Sequence, residues 1–258
     1  MKDTNSKKNY SLTLSWLYPE LMSTYGDRGN IIVLEKIADE NGIELVIKRV
    51  NQTTNPGVLK ESDLVFMGGA QDLQQEIVNK DLLGKKGEIL KQLIEANIPG
   101  LFICGAFQFL GKHYKDAYGT IIKGLGVFDM TTETPTNRPR LTGTIVIQAN
   151  KLSLSHNYLV GFENHGGRTN LANKELSFGK VVVGNGNNGG DQTEGIHYRN
   201  SFGTYMHGPI LPSNPELAIH LLKSALRVKY KKEIAISFDT TLSDKAKMVV
   251  LSRLKLSY

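Results

Sequence analysis

Cys104 is the only cysteine among 258 residues, so its thiol has no partner for an internal disulfide and no companions for a cysteine-rich metal site. Any chemistry it performs is that of a lone nucleophile. The residues before it, Leu101-Phe102-Ile103, form a continuous apolar triplet, and Phe107, Leu110 and Gly111 after it read as the first turns of a helix. That spacing predicts a strand-to-helix corner, where a thiol stands at the sheet edge and a helix N-terminus favours the thiolate. Gly105 and Ala106 are small enough to make the corner and leave the Gly105 N–H to face a developing oxyanion. Gly68-Gly69-Ala70 ends the preceding strand and offers the Gly69 N–H as a second donor, while Gln108 lies one helical turn beyond the cysteine. Together they outline a pocket for an amide substrate. A strand-end cysteine by itself is more often an ordinary buried thiol, and these two neighbouring features shift the balance.

A cysteine nucleophile needs a base, and the chain offers His113, His156, His165, His197, His207 and His220. His207 stands out: it ends the segment Phe202-Gly203-Thr204-Tyr205-Met206 and precedes Gly208-Pro209, so it projects from a sheet edge. His165, in Glu163-Asn164-His165-Gly166-Gly167, is the rival, more readily explained as a loop-packing residue.

These residues must be positioned by a scaffold. The first two thirds alternate apolar runs with helical patterns, the signature of βαβ units and a mostly parallel sheet flanked by helices. Strands are expected at Tyr10 to Tyr18, Ile43 to Val50 and Asp63 to Met67. Gly26-Asp27-Arg28-Gly29-Asn30 opens a helix whose Ile31, Ile32, Leu34, Ile37 and Ala38 are spaced to bury one face, stopped by Asn41-Gly42. Further helices are expected from Gln71 to about Asn79 and from Gly87 to Ala96. From Gly119 to Gly208 the chain turns to β-branched and aromatic segments broken by Gly and Asn, read as added antiparallel strands. Pro212 to Lys229 is a final amphipathic helix, with Ser213-Asn214-Pro215 in the N-cap and N1 arrangement. One α/β domain over 1–230 is expected, with 231–258 an extension carrying no motif.

The net charge of +6 comes from scattered lysines, with only Lys229, Lys231 and Lys232 approaching a cluster. Nucleic-acid binding is therefore disfavoured. No run of eighteen apolar residues occurs, and the start lacks a signal-peptide core, so no transmembrane segment and a cytoplasmic location are expected. No Gly-x-x-x-x-Gly-Lys-Ser/Thr phosphate loop is present, so ATP chemistry is expected elsewhere.

The double glycine, the Cys104 elbow with Gln108, and Tyr205-Met206-His207-Gly208-Pro209 about a hundred residues on resemble class I glutamine amidotransferases of the cobyric acid synthase type. Within them, four longer blocks are similar to the glutaminase subunits of lipid II isoglutaminyl synthases. They are Leu17 to Asn30, Gly161 to Thr169, Gly184 to Asn188 and Leu211 to Ala218. The resemblance implies a flavodoxin-like class I amidotransferase fold that hydrolyses glutamine, Cys104 as nucleophile and His207 as general base and acid, and Arg138 and Gln108 as substrate-binding residues. It implies Gly69 and Gly105 as oxyanion donors, with no metal and no cofactor in this subunit. It implies a heterodimer with a MurT-type, Mur ligase-like partner carrying ATP and metal, which amidates the D-glutamate α-carboxyl of the lipid II stem peptide, the complex meeting membrane-bound lipid II peripherally. Two positions depart from the family: Pro209 stands where many members place the glutamate that orients the histidine, leaving Glu163 and Glu194 as unranked candidates, and Ala106 replaces a customary glycine.

Overall fold

The computed structural model describes residues 8–23, 26–70, 72–149, 152, 154 and 158–256; Thr24, Tyr25, Gln71 and His156, which figure in the sequence reading, lie outside them. The central sheet takes β1 (Tyr10–Leu17), β2 (Ile43–Val50), β3 (Leu64–Met67) and β4 (Gly100–Ile103). Crossovers between them are α1 (Arg28–Glu40), α2 (Asp72–Asp81) and α3 (Gly87–Glu95), and α4 (Gly105–Leu110) follows β4. Short strands β5 (His113–Lys115), β6 (Ile121–Lys123) and β7 (Met130–Glu133) lead to the long β8 (Leu141–Gln148) and β9 (Tyr158–His165), then β10 (Arg168–Leu171) and β11 (Gly179–Val183). The chain closes with β12 (Thr193–Glu194), β13 (Ile196–Tyr198), β14 (Ser201–Thr204), β15 (Met206–His207), α5 (Ile210–Ser213), α6 (Pro215–Tyr230) and α7 (Thr241–Arg253).

The central sheet runs β13-β14-β4-β3-β1-β2, parallel throughout except where β13 pairs antiparallel with β14. Reading β14 as the fifth parallel strand gives the flavodoxin-like order 2-1-3-4-5. The consequence is geometric: the loops after β1, β3, β4 and β14 all open at the same sheet edge. Two smaller sheets, β10-β7-β5-β6 and β12-β11-β8-β9-β15, form the added layer, and β8 and β9 pair antiparallel over their full length.

The sequence reading needs three amendments. Residues 201–204 were expected to join the antiparallel layer, but β14 pairs parallel with β4, Thr204 facing Ile103. β5 and β7 are also parallel. In α1, Ile31, Leu34, Ile37 and Ala38 face the core, whereas Ile32 is 53% exposed, one position off the 3.6-residue stripe. Gly42, at φ +65°, ends that helix as expected. Asn214 occupies the N-cap of α6 with Pro215 at N1, yet its side chain does not cap the helix. It grips Val160 instead, accepting from its N–H at 2.9 Å and donating to its carbonyl at 2.8 Å, and also donates to the Ile210 carbonyl. The residue ties the final helix to β9.

The C-terminal residues pack on this same body. Ile236 is buried against the main core, Leu251 of α7 packs with Val146 and Val160, and Lys247 forms an ion pair with Glu216 in which both side chains are buried. Removing one member strands the other charge. Lys247→Ala is therefore expected to lower stability by about 3–5 kcal/mol, and a double change of Lys247 and Glu216 to apolar residues of similar volume to recover most of it. Urea denaturation midpoints check both.

Candidate functional site

The nucleophile candidate is held by backbone. Cys104 sits between β4 and α4 at φ +50°, ψ −103°, a conformation a residue with a β-carbon adopts only under constraint and at a cost of about 1–3 kcal/mol. Its N–H donates to the Thr204 carbonyl at 2.8 Å, and its own carbonyl accepts from the Gln108 N–H at 3.0 Å. The strain lies on the cysteine alone. Ala106 is an ordinary helical residue with no positive φ, so a methyl group there is free of the conformational penalty that a glycine might have relieved.

His207 lies in β15, directly after β14, and is 1% exposed. A β-carbon placed on Gly69 would lie 3.1 Å from His207 Cε1 and 3.3 Å from Cys104 Cβ, so the ring and the thiol-bearing carbon flank one small space under the loop after β3. Burial, with the neighbouring His165 and Arg140 adding to it, pushes His207 down to about 3. The imidazole is neutral near pH 7.

The rival His165 is also buried, stacked on Tyr205 with ring centroids 3.6 Å apart and donating through Nδ1 to the Gly167 carbonyl at 2.8 Å. Tyr205 in turn joins the substrate-binding candidate Gln108, whose Nε2 donates to the Tyr205 hydroxyl at 3.1 Å, and bonds Thr169 at 2.6 Å. The result is a buried polar wall beside the thiol. His113 lies in β5, and His197 and His220 pack on Phe202.

The two carboxylates considered for orienting His207 have other partners. Glu163 accepts from the Asn185 N–H and side chain, both at 2.7 Å, and from the Gly186 N–H at 2.9 Å, with His165 Nε2 at 3.8 Å. Burial works to raise its pKa, but these hydrogen bonds outweigh it and the carboxyl stays below its usual range. Glu194 is fully buried, accepts from Thr204 Oγ1 and the Tyr205 N–H through Oε1, and leaves Oε2 without a hydrogen-bond partner. Burial pushes it up to about 8 against the pull of those two bonds. A carboxyl whose folded pKa exceeds its unfolded value of 4.5 holds its proton longer in the native state, so the native state loses stability as pH rises between the two values. Wild-type stability should fall by about 2 kcal/mol from pH 6 to pH 8 on this account, and Glu194→Gln, which mimics the protonated acid, should abolish that slope. Urea unfolding at the two pH values tests it.

Three arginines lie near one another. Arg140 donates to the Asn164 side chain and carbonyl, both at 2.8 Å, and Arg168 donates to the Gly166 and Pro139 carbonyls, both at 2.7 Å. Both guanidiniums are used to fix the loop that carries Arg138. Arg138 itself is exposed and, among the described residues, makes no hydrogen bond or ion pair, although it lies close enough to Arg168 to help lower that residue's pKa, after burial. Its fork is open to an anion. Among the described residues no group of three His, Cys, Asp or Glu could hold a metal ion, and no helix is long and apolar enough to cross a membrane.

The sequence reading gave Gly26-Asp27-Arg28-Gly29-Asn30 a helix-opening role and a place in one block of the resemblance, but no contact with the site. The structure packs it against the site: a β-carbon on Gly29 would lie 2.4 Å from the Pro209 ring, Asn30 Oδ1 accepts from the Leu211 N–H, and the buried Asp27 accepts from the Gly69 N–H at 2.8 Å. The Gly69 N–H, expected to be an oxyanion donor, is therefore committed to a carboxylate in this structure. A glycine at the third turn position of a helix start was the available signal for close packing, but nothing in the sequence pointed Asp27 at residue 69.

Comparison with known proteins places this geometry. The CobB/CobQ-like glutamine amidotransferase domain matches residues 13–215. The chain is 41% identical to the lipid II isoglutaminyl synthase (glutamine-hydrolyzing) subunit GatD of Staphylococcus aureus (strain N315), across 95% of this chain and 96% of that one. It is 40% identical to the subunit of the same name from Streptococcus pneumoniae, across 91% and 88%. A cobyric acid synthase of Photorhabdus laumondii is 27% identical over 62% of this chain but only 33% of its own length. Among solved structures, PurLQS from Thermotoga maritima superposes with a TM-score of 0.57 at 15% identity, over 86% of this chain and 99% of that one, a likeness of fold. With a flavodoxin-like sheet, a family match over most of its length and two relatives near 40% identity, the chain belongs to the CobB/CobQ-like glutamine amidotransferase family.

Proposed function

We propose that this chain hydrolyses glutamine and supplies the ammonia to a separate, MurT-type ATP-dependent ligase, as the glutaminase half of a lipid II isoglutaminyl synthase. The observation that carries the reading is the strained Cys104 corner at the edge of a parallel sheet with a neutral, buried His207 across the same small space. Sulfur attacks the carboxamide carbon as His207 takes the thiol proton, the tetrahedral intermediate collapses, and the proton goes to the departing ammonia. Water then cleaves the thioester with His207 as base, releasing glutamate. Arg138 receives the substrate α-carboxylate, and Gln108, held by Tyr205, lines the pocket.

The near-complete coverage of the GatD relatives supports the two-chain arrangement, because cobyric acid synthases are about three times longer than the segment they share with this chain. The partner then supplies ATP, metal and the activated D-glutamate carboxyl, the reaction takes place in the cytoplasm, and the complex meets membrane-bound lipid II from that side. Ammonia release from glutamine by the purified chain, with and without the ligase, compared with Cys104→Ala, is the test. Release by wild type plus ligase that does not exceed the Cys104→Ala background overturns the proposal.

A further inference from the structure

Among the described residues, Asp27 is a buried carboxylate bonded to the loop beside Cys104 and His207, and the proposed reaction gives it nothing to do. It is 0% exposed. It stands at the N-cap position of α1 but makes no capping bond to its own helix; instead Oδ2 accepts from the Gly69 N–H, and Oδ1 is buried without a hydrogen-bond partner. No described cation pairs with it, and burial raises it to about 7 against the pull of the Gly69 bond. A carboxylate kept dry with half its acceptor capacity unmet is costly, and its single bond goes to the backbone that adjoins Cys104 and His207.

The position of that bond matters because attack of sulfur on the carboxamide moves the C=O π electrons onto oxygen, and this charge needs fixed donors. Gly69 lies against both reacting side chains, yet its N–H points at Asp27. Turning the peptide between Gly68 and Gly69 would release the N–H toward the pocket, and the sequence permits that turn only because neither residue has a side chain. At Gly68 the space is already full: a β-carbon would lie 2.3 Å from the Met22 carbonyl oxygen and 2.7 Å from Asp27 Oδ2.

Resting on the glutaminase reading, we infer that Asp27 is a positioning residue that holds the Gly69 N–H out of the oxyanion site, so that the chain alone is a restrained glutaminase and turnover requires that bond to open. α1 carries the restraint to the rear of the His207 segment through Gly29 against Pro209 and Asn30 against Leu211. A movement of this helix start would therefore act on both sides of the dyad.

The test compares wild type with Asp27→Leu and Asp27→Ala, neither of which can accept from the Gly69 N–H, for ammonia release without the ligase. Since one oxyanion donor is worth about 10²–10³ in kcat, the variants are expected to gain tenfold or more in partner-free kcat, with KM for glutamine changed less than threefold. A merely structural role moves the rate the other way. Alkylation of Cys104 by iodoacetamide at an unchanged rate shows that the variants keep the folded site. Unchanged or lower kcat in alkylation-competent variants overturns the inference, whereas absence of release by wild type with the ligase overturns the glutaminase reading itself. If the variants do not fold, wild type decides: the Gly69 amide proton resonance should shift when a diazoketone analogue of glutamine occupies Cys104, and a resonance that stays put refutes the inference.

Discussion

The Cys104→Ala chain is expected to release ammonia from glutamine about 10⁴-fold more slowly than wild type, or worse, with the ligase present in both cases. The expectation rests on covalency: the methyl group left on the corner between β4 and α4 cannot form the thioester. His207→Ala should lose less, about 10²–10⁴, because the sulfur remains and only proton transfer is impaired. The two effects should not add, since both groups serve one bond-forming step. Folding should survive in the alanine variant of the cysteine, which relieves nothing and removes only a buried thiol, and near-ultraviolet circular dichroism checks this. A His207→Ala chain as fast as wild type would remove the base from its role.

Arg138→Ala is expected to raise KM for glutamine by roughly 30- to 150-fold with kcat nearly unchanged, the value of about 2–3 kcal/mol for a charge-assisted contact that is equal in ground and transition states. Arg138→Lys should fall between, keeping the charge but losing the planar fork. Arg140→Ala is the instructive control. Its guanidinium is spent on Asn164, so its loss should loosen the loop and raise KM less than tenfold. Steady-state kinetics on the three variants separates the ligand-facing arginine from its neighbour, and equal KM effects at 138 and 140 would defeat the distinction.

How far these residues can be read without coordinates depends on whether their signal is local. The strand, corner and helix around Cys104 follow from a short apolar run and two small residues, and the elements from Tyr10 to Glu95 follow from their periodicity. His207 was singled out because a strand ends there, and it does lie in a short strand, β15. The pairing of β14 with β4 was not legible, because partner choice between strands a hundred residues apart is decided by the whole sheet and not by either strand's residues. For the same reason Asn214, which stands at the N-cap position as read, leaves its helix uncapped by its side chain: a tertiary partner at Val160 outcompetes that helix. Arg138 and Arg140 are indistinguishable in sequence, and only the contacts of Arg140 and Arg168 show which guanidinium is left open. Asp27 lies forty-two residues from Gly69, and no pattern links an acid at a helix start to one particular amide.

The parallel pairing of β4 with β14 also governs when Cys104 and His207 come together in folding. Bringing Ile103 beside Thr204 closes a loop of about a hundred residues, a contact of high sequence separation whose entropy must be met before the strand pair stabilises anything. The first four parallel strands can associate through nearer contacts, so a newly made chain can form the Cys104 corner before the segment bearing His207 is in place. The two side chains meet in one late step, when the excursion through the antiparallel layer returns. A chain ending before Ser201 thus carries the Cys104 corner without the strand that anchors it or the ring that faces it.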